Sequence, residues 1–264
     1  MHVAEVAVGH LQQVFPLALP HTPGIDVAGT VTAVGGGVSG LEIGDRVVGF
    51  LPMTAAGAAA QYVLAPAETL TAAPATIPLA DAAALPATGL TAWQAVFEHA
   101  DVQPGHRVLI HGAGGAVGGY AVQLAVQAGA AVVGTAGERH AERVRGYGAQ
   151  VPGRGADGLT SQFDAVLNFA PVAPADMAVL AGLVRDGGAL VTTTTPGPQD
   201  DLRGVRSISV FVRPDADQLT ALVDRVNAGK LHVHIADHIT LDDVAEVHAR
   251  NDAGTLSGKT VITL

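Results

Sequence analysis

The chain has 264 residues, a formal net charge of -10 and no cysteine. The lack of cysteine excludes disulfides, thiolate nucleophiles and cysteine-ligated zinc, and the absence of clustered Lys and Arg argues against a nucleic-acid partner. Because no apolar run reaches about 18 residues and no secretory leader pattern opens the chain, we expect a cytoplasmic protein without a membrane partner.

The first part of the chain predicts a small β-barrel or sandwich followed by a helix. Over residues 24–64, short β-branched runs alternate with glycine turns in GIDVAGTVTAVG, GDRVVGF and AAAQYVLA, which is typical of the short strands of a small barrel or sandwich. Over residues 79–99 the apolar spacing predicts a helix, with Pro78 and Pro86 as punctuation.

The segment 107–130 predicts a strand, a glycine-rich turn and a helix in direct succession. Residues 108–110 have the branching of a buried parallel strand, and residues 116–128 form the helix. Glycine at every third position lets backbone N–H groups approach a pyrophosphate at the helix N-terminus. The strict G-x-G-x-x-G pattern fails at Val117, so a turn that only packs the helix on the sheet is the alternative. The predicted cofactor-binding residues here are Gly112, Gly114, Gly115, Ala116, Val117 and Gly118.

Strands and helices continue to alternate along the next part of the chain. The expected elements are strands at 131–134, 165–167 and 189–191, helices at 138–147, 175–184 and 216–228, a turn at Gly187 and Gly188, and a strand, helix and strand over 233–264. This alternation predicts an α/β fold with a doubly wound parallel sheet.

Several motifs together resemble one enzyme family. They are PHTPGIDVAGTVTAVGGGVSGLEIGDRVVGF at 20–50, LPATGLTAW at 85–93, VLIHGAGGAVGGYAVQLA at 108–125 and the terminal SGKTVITL. In this order they are similar to the zinc-free quinone oxidoreductase branch of the medium-chain dehydrogenases/reductases. The resemblance implies a Rossmann domain at 87–232, a GroES-like domain at 1–86 and 233–264 that is shortened at its N-terminus, and NADP as the cofactor.

The end of the second strand of the α/β part decides between NAD and NADP. An Asp or Glu there would bind the ribose 2′-OH of NAD and repel a 2′-phosphate, but this chain has Ala136 and Gly137. Arg139, with Arg143 one turn further along the helix, is expected to neutralise the phosphate of NADP. An ordinary solvated helix face is the alternative.

Further site residues follow from the sheet edge and from the resemblance. The residues expected to face the cofactor are Phe169, Ala170, Thr193 and Thr194 after two strands, and Phe211, Val212 and Lys259 near the nicotinamide or a closing lid. The residues proposed as walls of the substrate pocket are Phe50, Thr88 and Thr91. A packing role is the alternative for each, and the sequence identifies no catalytic acid.

The histidines do not predict a metal site. His232 and His234 share one face of an expected strand, and His238 follows four residues later. A solvated or hydrogen-bonded trio is the better interpretation of that segment, so no metal is expected.

The leading hypothesis is an NADPH-dependent oxidoreductase that reduces a quinone or an activated C=C bond of a small molecule by hydride transfer. The alternative is a non-redox cyclase or lyase of a specialised, polyketide-like pathway, and a third class is a non-catalytic NADPH-binding or scaffold protein. A shortened barrel would leave backbone groups and apolar side chains uncovered, so we also expect a homodimer.

Overall fold

The computed structural model describes residues 20–156, 158–160, 162–256 and 258–263. The strands are β1 Asp26–Thr30, β2 Arg46–Phe50, β3 Leu70–Ala72, β4 Arg107–His111, β5 Ala131–Thr135, β6 Phe163–Asn168, β7 Val184–Thr192, β8 Arg206–Ser209, β9 Asp237–Thr240 and β10 Thr260–Thr263. The α-helices are α1 Leu79–Ala82, α2 Pro86–Trp93, α3 Ala116–Gln127, α4 Glu138–Gly146, α5 Pro174–Gly182, α6 Ala216–Asn227 and α7 Val244–Asp252.

The chain divides into two compact units, Met1–Leu90 with Pro214–Leu264, and Thr91–Arg213. We call them unit 1 and unit 2. The boundaries predicted from the sequence are 86/87 and 232/233, whereas in the structure α6 belongs to unit 1. Contacts with the segment around β3 explain the difference: the hydroxyl oxygens of Thr71 and Thr220 lie 2.7 Å apart, and Asn227 Oδ1 accepts a hydrogen bond from the Ala75 N–H at 2.8 Å.

Unit 1 contains the antiparallel sheet β1-β2-β3 and the parallel pair β9 and β10. The expected strand in AAAQYVLA at 58–65 is wrong, because this segment adopts no regular structure. Ala58 and Ala59 donate to the carbonyls of Gly24 and Pro23, but the segment then points Tyr62 and Leu64 outward. Small and apolar residues alternate in segment 58–65, but this segment does not pair with a neighbouring strand.

Unit 2 contains a five-stranded sheet in the order β5-β4-β6-β7-β8, and every neighbouring pair in it is parallel. The apolar middle of β4 is fully buried, as are Val166 and Leu167 of β6. Helices α3, α4 and α5 connect successive strands. The predicted doubly wound parallel sheet is confirmed, and its first strand, turn and helix lie where the sequence analysis placed them.

Two local expectations in the helices and strands are wrong. The helix expected over 79–99 is divided into α1, α2 and the π-helical segment Gln94–His99, because Pro86 begins a new helix. The turn expected at Gly187 and Gly188 lies inside β7. There the register shifts from Phe163 opposite Val184 to Ala165 opposite Ala189, and Gly187 has φ +71°. The glycines therefore form a bulge within one long strand.

Among the described residues, no helix combines the length and the apolar character needed to cross a membrane.

Candidate functional site

The glycine-rich turn between β4 and α3 is compact on one side and open on the other. Gly112 has φ +81°, and a Cβ there would lie 3.1 Å from the Ala170 Cβ. Gly118 packs against the turn itself, since its Cβ would lie 2.8 Å from the Ala113 Cα. Gly115 is exposed, and its Cβ would meet only the Gly112 carbonyl oxygen, at 3.3 Å. The turn thus leaves its backbone accessible at Gly115.

Helix α3 begins at this open side without a side-chain cap. Its N-cap is Gly115, which supplies no side-chain hydrogen bond, and its first turn carries no acidic residue. The first N–H groups of an α-helix have no partner within the helix and favour an anion. This end of the 12-residue helix therefore has the features of a phosphate site.

A row of polar side chains crosses the carboxyl edge of the sheet in unit 2. Each of its strands ends in a polar residue at the same register level; the row is Thr135, His111, Asn168, Thr192 and Ser209. Within the described part of the chain, the buried Thr192 hydroxyl has no hydrogen-bond partner. Sequence reasoning missed Thr135, Asn168 and Thr192, although a polar residue directly after an apolar strand was a usable signal.

His111 connects the polar row to the glycine turn. Its Nδ1 lies 2.8 Å from the Thr135 hydroxyl oxygen, which also accepts the Gly112 N–H at 3.3 Å. Burial lowers the pKa of His111, and the carboxylate of Asp176 raises it to a smaller extent. A neutral imidazole at neutral pH therefore holds the first residue of the turn through Thr135.

The expected cofactor-facing residues after β6 and β7 lie together. The Phe169 N–H donates to the His111 carbonyl at 3.0 Å, which places this loop beside the glycine turn. The Thr194 hydroxyl donates to the Ala170 carbonyl at 2.9 Å, and the Thr193 N–H donates to the Asn168 carbonyl at 3.1 Å. The structure thus brings Phe169, Ala170, Thr193 and Thr194 to the carboxyl edge where the turn lies.

The end of β5 is uncharged and open. Ala136 is buried, Gly137 is the N-cap of α4, and a Cβ on Gly137 would meet nothing within 4 Å. Arg139 is exposed in the first turn of α4. Arg143 differs from the expectation, since its guanidinium donates to the Gly114 carbonyl at 2.8 Å and is directed to the turn.

Other expected site residues have structural partners or are buried. Lys259 is 3% exposed and its ammonium donates to the Asp26 carboxylate inside unit 1, so we assign it to the core instead of the cofactor. Phe50 and Thr88 are also buried in unit 1, and the Thr88 hydroxyl donates to the Ala84 carbonyl at 2.7 Å. These two residues therefore pack rather than line an open pocket.

The remaining expected residues belong to unit 2. Thr91 is buried there. Phe211 follows β8 and is 63% exposed, and Val212 is half-buried beside it. Of these three, Phe211 presents the largest accessible apolar surface.

Comparison with known proteins assigns the chain to a family. Residues 2–75 match the alcohol dehydrogenase GroES-like domain, and residues 141–262 match the zinc-binding dehydrogenase family. The chloroplast envelope quinone oxidoreductase homolog of Arabidopsis thaliana is 30% identical over 98% of this chain and 84% of its own length. The chain belongs to the quinone oxidoreductase-like medium-chain dehydrogenases/reductases. It is therefore an oxidoreductase of this superfamily, which implies a nicotinamide cofactor.

Solved structures agree with this assignment. An alcohol dehydrogenase superfamily protein from Novosphingobium aromaticivorans superposes with a TM-score of 0.86 at 26% identity, over 99% of this chain and 87% of that protein. The quinone oxidoreductase from Coxiella burnetii gives a TM-score of 0.84 at 26% identity, over 100% and 83% of the two chains. The prediction of a Rossmann sheet with a GroES-like domain is confirmed. The expected shortening of the GroES-like domain at its N-terminus stays a prediction, and residues 1–19 lie outside the described residues.

The three histidines weighed as possible metal ligands, His232, His234 and His238, have other partners. His238 Nε2 lies 2.7 Å from Asp81 Oδ1, and His232 and His234 also make contacts. Among the described residues, no three His, Asp or Glu side chains are grouped as metal ligands.

Proposed function

We propose that this protein is an NADPH-dependent reductase that acts on a quinone or an activated C=C bond of a small molecule. The observation that carries the proposal is the open backbone of the glycine turn at the uncapped start of α3. A Cβ at Gly115 would occupy the side from which a pyrophosphate would approach. The unpaired Thr192 hydroxyl at the same sheet edge is a further group that suits a polar ligand.

The residues present fit a dinucleotide along the carboxyl edge of the sheet. The N–H groups at the start of α3 would bind the pyrophosphate, and the open, uncharged end of β5 would accept the adenosine ribose with its 2′-phosphate. Bound NADPH supplies a hydride from its nicotinamide ring. His111 and Thr135 hold Gly112 in place, and the hydroxyl of Thr194 fixes the loop at Ala170.

The substrate class rests on the relatives. The Arabidopsis relative is described as a quinone oxidoreductase homolog, and the Coxiella structure as a quinone oxidoreductase. A quinone and an enone share an electron-poor carbon that accepts hydride, so both belong to the proposed substrate class. No observation in the described residues favours the cyclase or lyase alternative, which becomes an outcome of the test.

The proposal is tested by titrating the purified protein with NADPH and NADH and then adding a quinone or an enone. We expect tighter binding of NADPH and consumption of NADPH only when the acceptor is present. Binding of neither cofactor would contradict the proposal. Binding without consumption, together with isomerisation or cyclisation of an offered polyene, would favour the alternative. We also propose a cytoplasmic location and a homodimer.

A further inference from the structure

The loop after α4 runs beside the end of β5. Val133 forms a parallel bridge with Gln150, and the Gly134 N–H donates to the Gln150 carbonyl at 2.8 Å. The contact continues past the strand, because the Ala136 N–H donates to the Gly153 carbonyl at 2.8 Å. Arg154 therefore follows a residue that is hydrogen-bonded to the end of β5, one Cα step of about 3.8 Å further along.

Two exposed arginines without a counter-ion among the described residues lie in sequence next to this strand end or to the loop hydrogen-bonded to it. Arg154 and Arg139 are both exposed, and neither has a hydrogen bond or an ion pair with any residue in the described ranges. Between the end of β5 and Arg139 the chain has Ala136, Gly137 and the exposed Glu138. Ala136 and Gly137 carry no charge, and the two guanidinium groups near this strand end supply positive charge and the hydrogen-bond donors that a phosphate dianion requires.

Arg143 is not equivalent to these two arginines. Its Nη2 donates to the Gly114 carbonyl at 2.8 Å and lies 3.3 Å from His140 Nδ1. Its guanidinium carbon is 5.9 Å from the centre of the Tyr147 ring. These contacts direct Arg143 toward the glycine turn, so it supports the turn in the same way for either cofactor.

We propose that Arg154, together with Arg139, binds the 2′-phosphate and sets the preference for NADPH over NADH. This inference rests on the proposed function and adds a specificity-determining residue to it. Arg154 supplies a planar guanidinium from the loop side, and Arg139 supplies one from the helix side. The two guanidinium groups match the charge of about -2 on the phosphate, and the carboxylate of Glu138 opposes binding.

The experiment compares adenosine 2′,5′-bisphosphate with adenosine 5′-monophosphate by isothermal titration calorimetry on the full chain. We expect Arg154→Gln to weaken binding of the bisphosphate about tenfold and to leave binding of the monophosphate within about twofold. Arg154→Lys keeps the charge and should recover part of the loss. Arg185→Gln serves as the control. Arg185 is exposed and pairs with Asp164 near the amino ends of β7 and β6, away from the carboxyl edge of the sheet.

Each outcome decides the inference. A bisphosphate preference that is unchanged in Arg154→Gln, or an equal loss for both ligands, would overturn it. If that variant still consumes NADPH with an enone at the wild-type preference, only this inference fails and the proposed function stands. If the wild-type protein binds neither the bisphosphate nor NADPH, both fail. Thermal melting of each variant without ligand verifies that the fold is kept.

Discussion

Gly115 and Gly118 lie three residues apart in one turn, but their surroundings differ. Gly115 is exposed and leaves room for a side chain, whereas a Cβ at Gly118 would meet the backbone of the turn. We expect Gly115→Val to abolish NADPH binding while the melting temperature stays close to that of the wild type. Gly118→Val should lower the free energy of unfolding by about 3 kcal/mol, because the added atoms overpack a backbone contact.

Calorimetric titration and thermal melting of both variants separate these effects. Gly115→Ala adds only the Cβ, so it should weaken NADPH binding less than Gly115→Val does. Wild-type stabilisation of Gly115→Val by NADPH would mean that the turn only packs the helix on the sheet.

His111 gives the protein a pH-dependent contribution to stability. Burial lowers the pKa of His111 in the folded state. As the pH falls below about 6.5, the unfolded chain therefore takes up a proton at this residue before the folded chain does, and stability is lost. We expect His111→Asn to remove part of this loss, with a difference in slope of at most about 1.4 kcal/mol per pH unit. Urea unfolding at pH values above and below this range measures it, and parallel curves for the two proteins would refute the assignment.

At the residue scale, the hydrogen-bond and ion-pair partners of individual side chains could not be predicted from the sequence. From the sequence, Arg139 and Arg143 are equally plausible phosphate ligands on a helix. In the structure, Arg143 donates a hydrogen bond to the Gly114 carbonyl and is therefore directed to the glycine turn, away from the proposed 2′-phosphate position. Lys259 was assigned from the family resemblance, and its partner Asp26 lies 233 positions away. Such long-range pairs depend on the tertiary fold and are not encoded in local spacing.

At the scale of elements, the buried pair of Asp26 and Lys259 connects three parts of unit 1. Asp26 begins β1, Lys259 directly precedes β10, and the Asp26 carboxylate also accepts the Ala87 N–H in the first turn of α2 at 2.7 Å. We expect Lys259→Met to lower the free energy of unfolding by about 3–5 kcal/mol, because it leaves a buried carboxylate without its counter-ion.

Denaturant unfolding of the wild type, Lys259→Met and the double variant Asp26→Leu with Lys259→Met measures this effect. The double variant should recover part of the loss, since it removes both buried charges. An unchanged unfolding midpoint in Lys259→Met would show that the ion pair contributes little.

Elements with strong periodicity were predictable, and those shaped by their neighbours were not. The predicted helix at 116–128 differs from α3 by one residue, since small and apolar residues there agree with a helix packed on a sheet. In contrast, the pair Gly187 and Gly188 predicts a turn, but in the structure both glycines lie within β7, where pairing with β6 leaves them in a bulge. Residues 58–65 show strand-like alternation but form no strand in the structure. In these segments tertiary pairing decides the outcome.

At the scale of the whole molecule, apolar side chains on unit 1 support the proposed homodimer. Tyr62 and Leu64 are 75% and 95% exposed and border a cavity of about 960 Å³. Apolar patches of this kind mark contact surfaces. We expect light scattering to give twice the chain mass of 26.5 kDa, and Leu64→Glu to shift the protein toward the monomer. A stable monomer at micromolar concentration would contradict the proposal.

The two-part organisation and the family were accessible from the sequence because each rests on ordered motifs at fixed spacing. The unit boundary at Arg213 could not be predicted from the sequence, because α6 continues the alternation of strands and helices along the chain but contacts β3 of unit 1 in the structure.

The most direct test of hydride transfer uses NADPH deuterated at both C4 positions of the nicotinamide. The purified protein is given an enone or a quinone, and the product is analysed by mass spectrometry. For an enone, the account predicts one deuterium per product molecule at the carbon β to the carbonyl, with one NADPH oxidised for each. For a quinone, whose product hydrogens exchange with water, the stoichiometry of NADPH oxidation is the readout. An enone product without deuterium, or conversion of the substrate with no oxidation of NADPH, would contradict it.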